Sequence, residues 1–210
     1  MLILHSTRRC PFCIRVRMML YLKGLEYEII EEPIRKWTTW LKDWSVRTNE
    51  RTRVPVLRIT NEQGEEEIYP ESNTINLLLD SRYGTSSYTP ELYSDAYEKM
   101  ISWNNWCENV LKPQIDLYKY GENLKFDKDL HVDNTKLLRS TLTMLEAGLV
   151  GKQFLLEDRL TVADIAIIPF IRQIMRTREG EFDFTDFPSI KKWASSVIDT
   201  AWFQEIVMKK

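Results

Sequence analysis

Residues 2–24 read LILHSTRRCPFCIRVRMMLYLKG, and the order of features within them decides the fold. Leu2-Ile3-Leu4-His5 is a short apolar run closed by Ser6-Thr7, the form of a buried strand. Behind it Ile14, Met18 and Leu22 recur every fourth residue, Val16 and Met19 widen that stripe, and Gly24 follows as a stop signal, so a helix is expected from Pro11 to Lys23. Pro11 suits the first helical turn, where its missing N–H would have had no partner in any case. The run Leu25–Ile30 then supplies a second strand and completes a β-α-β unit of about 30 residues. Inside such a unit a Cys-x-x-Cys pair is a redox candidate.

Cys10 falls just before that helix and Cys13 about one turn into it. A helix N-terminus offers partial positive charge and free N–H groups, which populate the thiolate of a cysteine placed there. Position therefore assigns the roles: Cys10 attacks, and Cys13 attacks the resulting mixed disulfide and releases the partner. Other readings compete. A structural zinc site needs four Cys or His ligands, and beyond this pair the chain offers only Cys107, His5 and His131, none of them in a second pair. Core filler competes evenly with a redox role for Cys13, and is the preferred reading for Cys107, which stands beside Trp106 on an apolar helix.

Working outward, Trp37, Trp40, Leu41 and Trp44 have helical spacing, 54–59 reads as a strand opened by Val54-Pro55, 61–64 as a turn, and 66–69 as the returning strand. A proline at the mouth of a strand can hold a cis peptide that turns the Val54 backbone toward a peptide-like ligand; an ordinary trans edge proline is the competing reading. Ser72 has the character of an N-cap for a helix reaching Tyr83, and with Glu71 it marks an anion site with a carboxylate beside it. Residues 84–90 are polar, with Gly and Ser, and form the best linker. Strand signals then stop. Helical stretches follow at 92–111, 134–147, 188–198 and 202–208, and Thr161-Val162-Ala163-Asp164 has the form of a capping box ahead of an apolar helix that contains Pro169. The expected division is 1–83, a linker at 84–90, and an all-helical 91–210.

The chain has 210 residues, 43% hydrophobic and 29% charged, with seven Gly and eight Pro, which excludes a collagen-like or mainly disordered polymer. A net charge of −2 excludes the global basic field of a nucleic-acid binder. That total conceals +6 over residues 1–60 and −7 over 61–120. Arg8, Arg9, Arg15 and Arg17 make the surroundings of the cysteines basic, although each arginine taken singly reads as solvated helix face. An odd cysteine count without a secretory apolar segment points to a reducing, cytoplasmic compartment, and uncharged runs of at most eight residues leave nothing for a membrane span.

Taken in order, the strand, Cys10-Pro11-Phe12-Cys13, helix, strand, Val54-Pro55, hairpin, Glu71-Ser72 and helical half with its capping box resemble the glutathione transferase superfamily over nearly the whole chain. The cysteine where a Tyr or Ser is more usual is similar to the omega-class enzymes and the two-domain bacterial glutaredoxins. Asn49-Glu50-Arg51-Thr52-Arg53 departs from the Asn-Pro, Gly-bearing loop of many members, and Glu157-Asp158 from their Gly-Asp. The resemblance implies a thioredoxin-like α/β N-terminal domain, an all-α C-terminal domain, and glutathione as cosubstrate with no metal. Under it Cys10 meets the glutathione sulfur, Val54 pairs with the cysteinyl unit before cis Pro55, Glu71 and Ser72 hold the γ-glutamyl end, and Arg35 or Lys36 reaches the glycyl carboxylate. Asp164 becomes a structural cap, and a homodimer is implied. The activity expected is reduction of mixed disulfides or small oxidants through Cys10. Its rivals are conjugation of glutathione to electrophiles, with a hydroxyl such as that of Ser6 activating the thiol, and a non-catalytic binding module on the same fold.

Overall fold

Leu2–Ser6 forms β1, and all five of its residues are buried, which makes it an interior strand. In the computed structural model, which describes residues 1–34, 36–121 and 134–209, the helix α1 follows over Pro11–Leu22 with Cys10 as its N-cap and Pro11 in its first turn. The next strand, β2, spans Glu28–Glu31 and starts later than the run Leu25–Ile30 suggests. The helix end explains the delay. Gly24 takes a left-handed φ of 64° and donates to the Tyr21 carbonyl, while the Leu25 N–H returns to Leu20 at 2.9 Å. Leu25 thus belongs to a Schellman closure and cannot enter the sheet.

Helix α2 covers Thr39–Thr48, β3 Val56–Thr60, β4 Glu66–Pro70 and α3 Ser72–Arg82. The sheet order is β2-β1-β3-β4, with β1 parallel to β2 and antiparallel to β3, and β3 antiparallel to β4. Leu41 and Trp44 of α2 pack with Val56 on one face, while α1 and α3 pack together. Ser72 is the first residue of α3, not its cap: Glu71 holds the cap position, with a φ of 72°.

Arg15 and Arg17 overturn the solvated-face reading, since both are fully buried on α1. Arg17 donates to Ser6 Oγ at 3.0 Å and to the carbonyls of Ile206 and Lys209 at 3.2 and 2.8 Å, and it pairs with Glu31 at 3.4 Å. Ile206 belongs to α9, Ala201–Met208, and Lys209 follows it; α9 packs on α1 and stacks Trp202 on Tyr21 with centroids 5.1 Å apart. Residues 1–87 and 201–210 form one compact unit and 88–200 the other. The break lies inside the stretch read as a linker, but the segment 201–210 belongs with the first unit instead of the second.

The second unit contains α4 (Asp95–Trp106), α5 (Lys112–Tyr120), α6 (Asn134–Leu149), α7 (Val162–Arg176) and α8 (Pro188–Ile198). A π-turn over Cys107–Leu111 joins α4 to α5 without leaving helical backbone. Every residue of α7 from Val162 to Ile171 is buried, so this helix is apolar all round and forms the core of its unit. Asp164 closes its first turn. One carboxylate oxygen accepts the Thr161 N–H and hydroxyl at 2.8 and 2.7 Å, and the other accepts the Leu155 N–H and Trp193 Nε1, both at 2.9 Å. Cys107 is buried with its thiol 3.7 Å from the Ala166 carbonyl, whereas Tyr93 is 92% exposed and belongs to no core. Among the described residues no helix is long and apolar enough to cross a membrane.

Candidate active site

Register places the motifs of the first unit together. Ser6, the last residue of β1, lies opposite Glu31, the last of β2, so the Cys10 loop and the segment that leads into α2 leave the same end of the sheet. His5 lies opposite Val56 and Val56 opposite Pro70, which puts Val54-Pro55 and Glu71-Ser72 at that end as well. Four segments scattered over 60 residues of sequence thereby frame one site. Arg35 lies outside the described residues, and Lys36 is exposed in the turn after β2, its N–H bonded to Pro33.

Cys10 is half-buried in extended backbone at the head of α1, with its N–H bonded to the Thr7 carbonyl at 3.0 Å. No side chain caps the helix, so the first-turn N–H groups remain for the sulfur. The Cys10 thiol is pulled down to about 7: the Cys13 side chain hydrogen-bonds to it, burial opposes, and the N–H groups of Cys13 and Phe12 and the Arg15 charge add to the pull. Cys13 is pushed well above its ordinary value by burial and by the Cys10 sulfur beside it, despite the Thr7 N–H donated to its Sγ at 3.3 Å. The two thiols are therefore differentiated, the one at the helix cap drawn toward the thiolate and the one beneath it held toward the protonated form. Cys13 is fully buried in the core and at the same time next to the Cys10 sulfur.

Arg15 links this thiol to the head of α3. Its Nη1 donates to Ser72 Oγ at 3.1 Å and to Asn73 Oδ1 at 3.3 Å, and its guanidinium lies 5.0 Å from the Phe12 ring centroid. Glu71, half exposed, pairs with Arg53 at 2.7 Å, and Arg53 also reaches Glu50 at 3.1 Å. With φ at 72°, Glu71 is a non-glycine residue in a sparsely populated region, a form of strain that recurs at ligand-binding positions. The Val54-Pro55 peptide is cis. Ser6 is fully buried and accepts the Nε–H of Arg17.

Asn73 and Glu32 carry no signal in the sequence, and the partners of Arg15 and Thr7 are not visible there. Arg15 hides as one of several helix arginines, and its partners lie 57 and 58 residues on. Glu32 is fully buried, accepts from the Thr38 hydroxyl at 2.6 Å and N–H at 2.8 Å, and meets His5 Nδ1 at 2.7 Å. His5 stacks on Trp40 with centroids 4.2 Å apart, so it has a packing role that its sequence context does not disclose. Among the described residues no cluster of His, Cys, Asp or Glu is arranged to hold a metal ion.

Comparison with known proteins agrees with this architecture. The family profiles described as "Glutathione S-transferase, N-terminal domain" and "Glutathione S-transferase, C-terminal domain" match residues 4–87 and 111–200. A probable glutathione S-transferase of Glycine max is 26% identical over 203 residues, 94% of this chain and 84% of that one. Glutathione S-transferase omega-1 of Rattus norvegicus is 26% identical over 202 residues, 92% of this chain and 75% of that one. Among solved structures, the glutathione transferase URE2P8 from Phanerochaete chrysosporium, with oxidized glutathione, has a TM-score of 0.81 at 18% identity, covering 98% of this chain and 92% of that one. A glutathione transferase family member from Pseudomonas fluorescens pf-5, with two glutathione bound, has a TM-score of 0.77 at 21% identity over 98% and 92% of the two chains. The chain belongs to the glutathione S-transferase superfamily.

Proposed function

From that membership we propose that the protein is a glutathione-dependent thiol transferase in which Cys10 is the nucleophile. The observation that carries the reading is the Cys10 thiol, drawn down to about 7 at an uncapped helix N-terminus. A group titrating there is about half thiolate at neutral pH and still a strong nucleophile. The Cys10 thiolate attacks the glutathione sulfur of a mixed disulfide, a Cys10–glutathione S–S bond forms, the original S–S bond breaks, and the partner leaves as a thiolate that takes up a proton. A second glutathione thiolate then attacks the glutathione sulfur, releases glutathione disulfide, and restores Cys10. Cys13 provides the alternative second step: it gives up its proton, closes a Cys10–Cys13 disulfide and releases glutathione, and the disulfide is then reduced by further glutathione.

The placement of glutathione in this reading follows the family resemblance of the motifs. Val54 meets the cysteinyl unit, Glu71, Ser72 and the head of α3 take the γ-glutamyl end, and Lys36, with Arg35, takes the glycyl carboxylate. Arg15 supports the γ-glutamyl end through its bonds to Ser72 and Asn73. Conjugation to electrophiles is the less favoured activity, because a hydroxyl activates glutathione in that chemistry, whereas here a cysteine stands at the helix head and Ser6 is fully buried.

Reduction of a glutathionylated small disulfide by wild type, Cys10→Ala and Cys13→Ser tests the assignment. Activity should vanish in Cys10→Ala; full activity in that variant would overturn the reading. Loss in Cys13→Ser as well would establish the dithiol route, and retention the monothiol one.

A further inference from the structure

Glu32 takes no part in the chemistry above, yet it meets both halves of the site. Its carboxylate lies before the N-terminus of α2, where negative charge is favoured. Oε1 accepts the Thr38 hydroxyl at 2.6 Å and faces His5 Nδ1 at 2.7 Å, and Oε2 accepts the Thr38 N–H at 2.8 Å. Thr38 is the N-cap of α2, and its Oγ1 in turn receives the Leu41 N–H at 3.4 Å. The main chain of Glu32 faces the other way. Its N–H donates to the Ser6 carbonyl at 2.9 Å, and its carbonyl accepts the Thr7 hydroxyl at 2.6 Å. Thr7 holds both cysteines, donating its N–H to Cys13 Sγ at 3.3 Å and accepting the Cys10 N–H at 3.0 Å.

One residue thus carries a bonded path from the thiol loop to the head of α2. Lys36 lies in the short segment between Glu32 and the Thr38 cap that Glu32 holds. His5 completes the arrangement: fully buried, flat on Trp40 of α2, its Nε2 without a hydrogen-bond partner among the described residues, it leaves the Glu32 carboxylate shielded from water. A buried carboxylate has reason to be kept only where its bonds are satisfied and fix a geometry.

We propose that Glu32 is a positioning residue that fixes the Lys36-bearing turn relative to the Cys10 loop, and so sets the span across which glutathione is held from sulfur to glycyl carboxylate. The proposal rests on the glutathione-binding part of the reading above. It predicts that loosening the Thr38 cap weakens glutathione binding while Cys10 keeps its reactivity, since Thr7 remains bonded to the Glu32 main chain.

The test uses Thr38→Val, which removes the hydroxyl and leaves the N–H bond to Oε2, with Thr38→Ser as the conservative variant. Glutathione binding is followed by tryptophan fluorescence, turnover with the glutathionylated disulfide, and Cys10 reactivity by iodoacetamide alkylation. In Thr38→Val the dissociation constant and KM for glutathione should rise about five- to tenfold, kcat at saturating glutathione should change less than twofold, and alkylation should stay within twofold of wild type. Thr38→Ser should restore both constants. Unchanged glutathione binding in Thr38→Val overturns the proposal, as does a parallel collapse of alkylation, which would mark a merely structural role. Wild type that binds glutathione but does not turn the disulfide over would sink the thiol-transfer reading alone, and the binding series would still decide the positioning role. Wild type that binds no glutathione overturns both.

Discussion

The heads of α1 and α7 are both helix N-termini announced by a short motif, and they are finished in opposite ways. At α7 the carboxylate of Asp164 consumes the donors around it, taking four hydrogen bonds from Thr161, Leu155 and Trp193. At α1 no side chain closes the turn, and the first N–H groups are left to a sulfur atom. A fully satisfied terminus contributes stability and has nothing left with which to bind; one left open gives up a capping contribution of about 1 kcal/mol and keeps a charged end for a ligand. Burial raises the Asp164 carboxyl above its ordinary value even with four donors, whereas hydrogen bonds at Cys10 prevail over burial.

The sharpest way to break this contrast is to exchange the consequences of mutation at the two termini. Cys10→Ala should lower thiol-transfer kcat/KM by about 1,000-fold or more, with a urea midpoint close to that of wild type. If the midpoint falls instead, the α1 terminus is structural after all. Asp164→Ala should show the converse, because it strands the donors of Leu155, Thr161 and Trp193 in a buried site. A loss of about 3–5 kcal/mol in urea unfolding is expected, with the smaller loss in Asp164→Asn, which keeps one acceptor.

Within α1, Cys13→Ala should move the midpoint of Cys10 alkylation up from about 7 by about one pH unit. The sign follows from the leading cause: the lost donor favoured the thiolate, and its removal returns Cys10 toward the ordinary thiol. A midpoint that stays in place would mean the helix N–H groups and Arg15 suffice. The smallest effect concerns His5, whose imidazole burial pushes below its ordinary 6.5 against the Glu32 hydrogen bond and charge, with Arg58 and Glu66 the other charged groups acting on it. A folded value below the unfolded one means that the unfolded chain binds the extra proton first. The contribution of His5 is therefore present above about pH 6.5 and is lost as pH falls below it. The urea midpoint should drop between pH 7.5 and 5.5, and His5→Gln should show a shallower drop.

What the sequence discloses about these termini tracks the range of the interactions. The strand–Cys10–Pro11–helix order and the Thr161–Asp164 box are legible because their partners lie within a few residues. Arg17 is misread as surface because its acceptors are 189 and 192 residues away. Arg15 is misread because Ser72 and Asn73 come from another helix, and Glu32 is silent because its partners His5 and Thr38 flank it at separations of 27 and 6 residues with no repeating pattern. The cap of α3 shifts by one residue for a different reason. Ser72 has the side chain of a cap, but its hydroxyl is committed to Arg15, and Glu71 takes the cap conformation in its place.

The return of α9 to α1 also sets the order in which the molecule can be completed during synthesis. Arg17 leaves the ribosome early, whereas the Ile206 and Lys209 carbonyls that receive its guanidinium appear only after the whole of 88–200 has been made. Until then the thioredoxin-like unit has a buried cation short of two acceptors and an uncovered Tyr21. The helical unit is contiguous in sequence. The unit that carries Cys10 is thus finished only after 88–200 has been made, and a fragment cut at Ser87 would lack the segment that seals it.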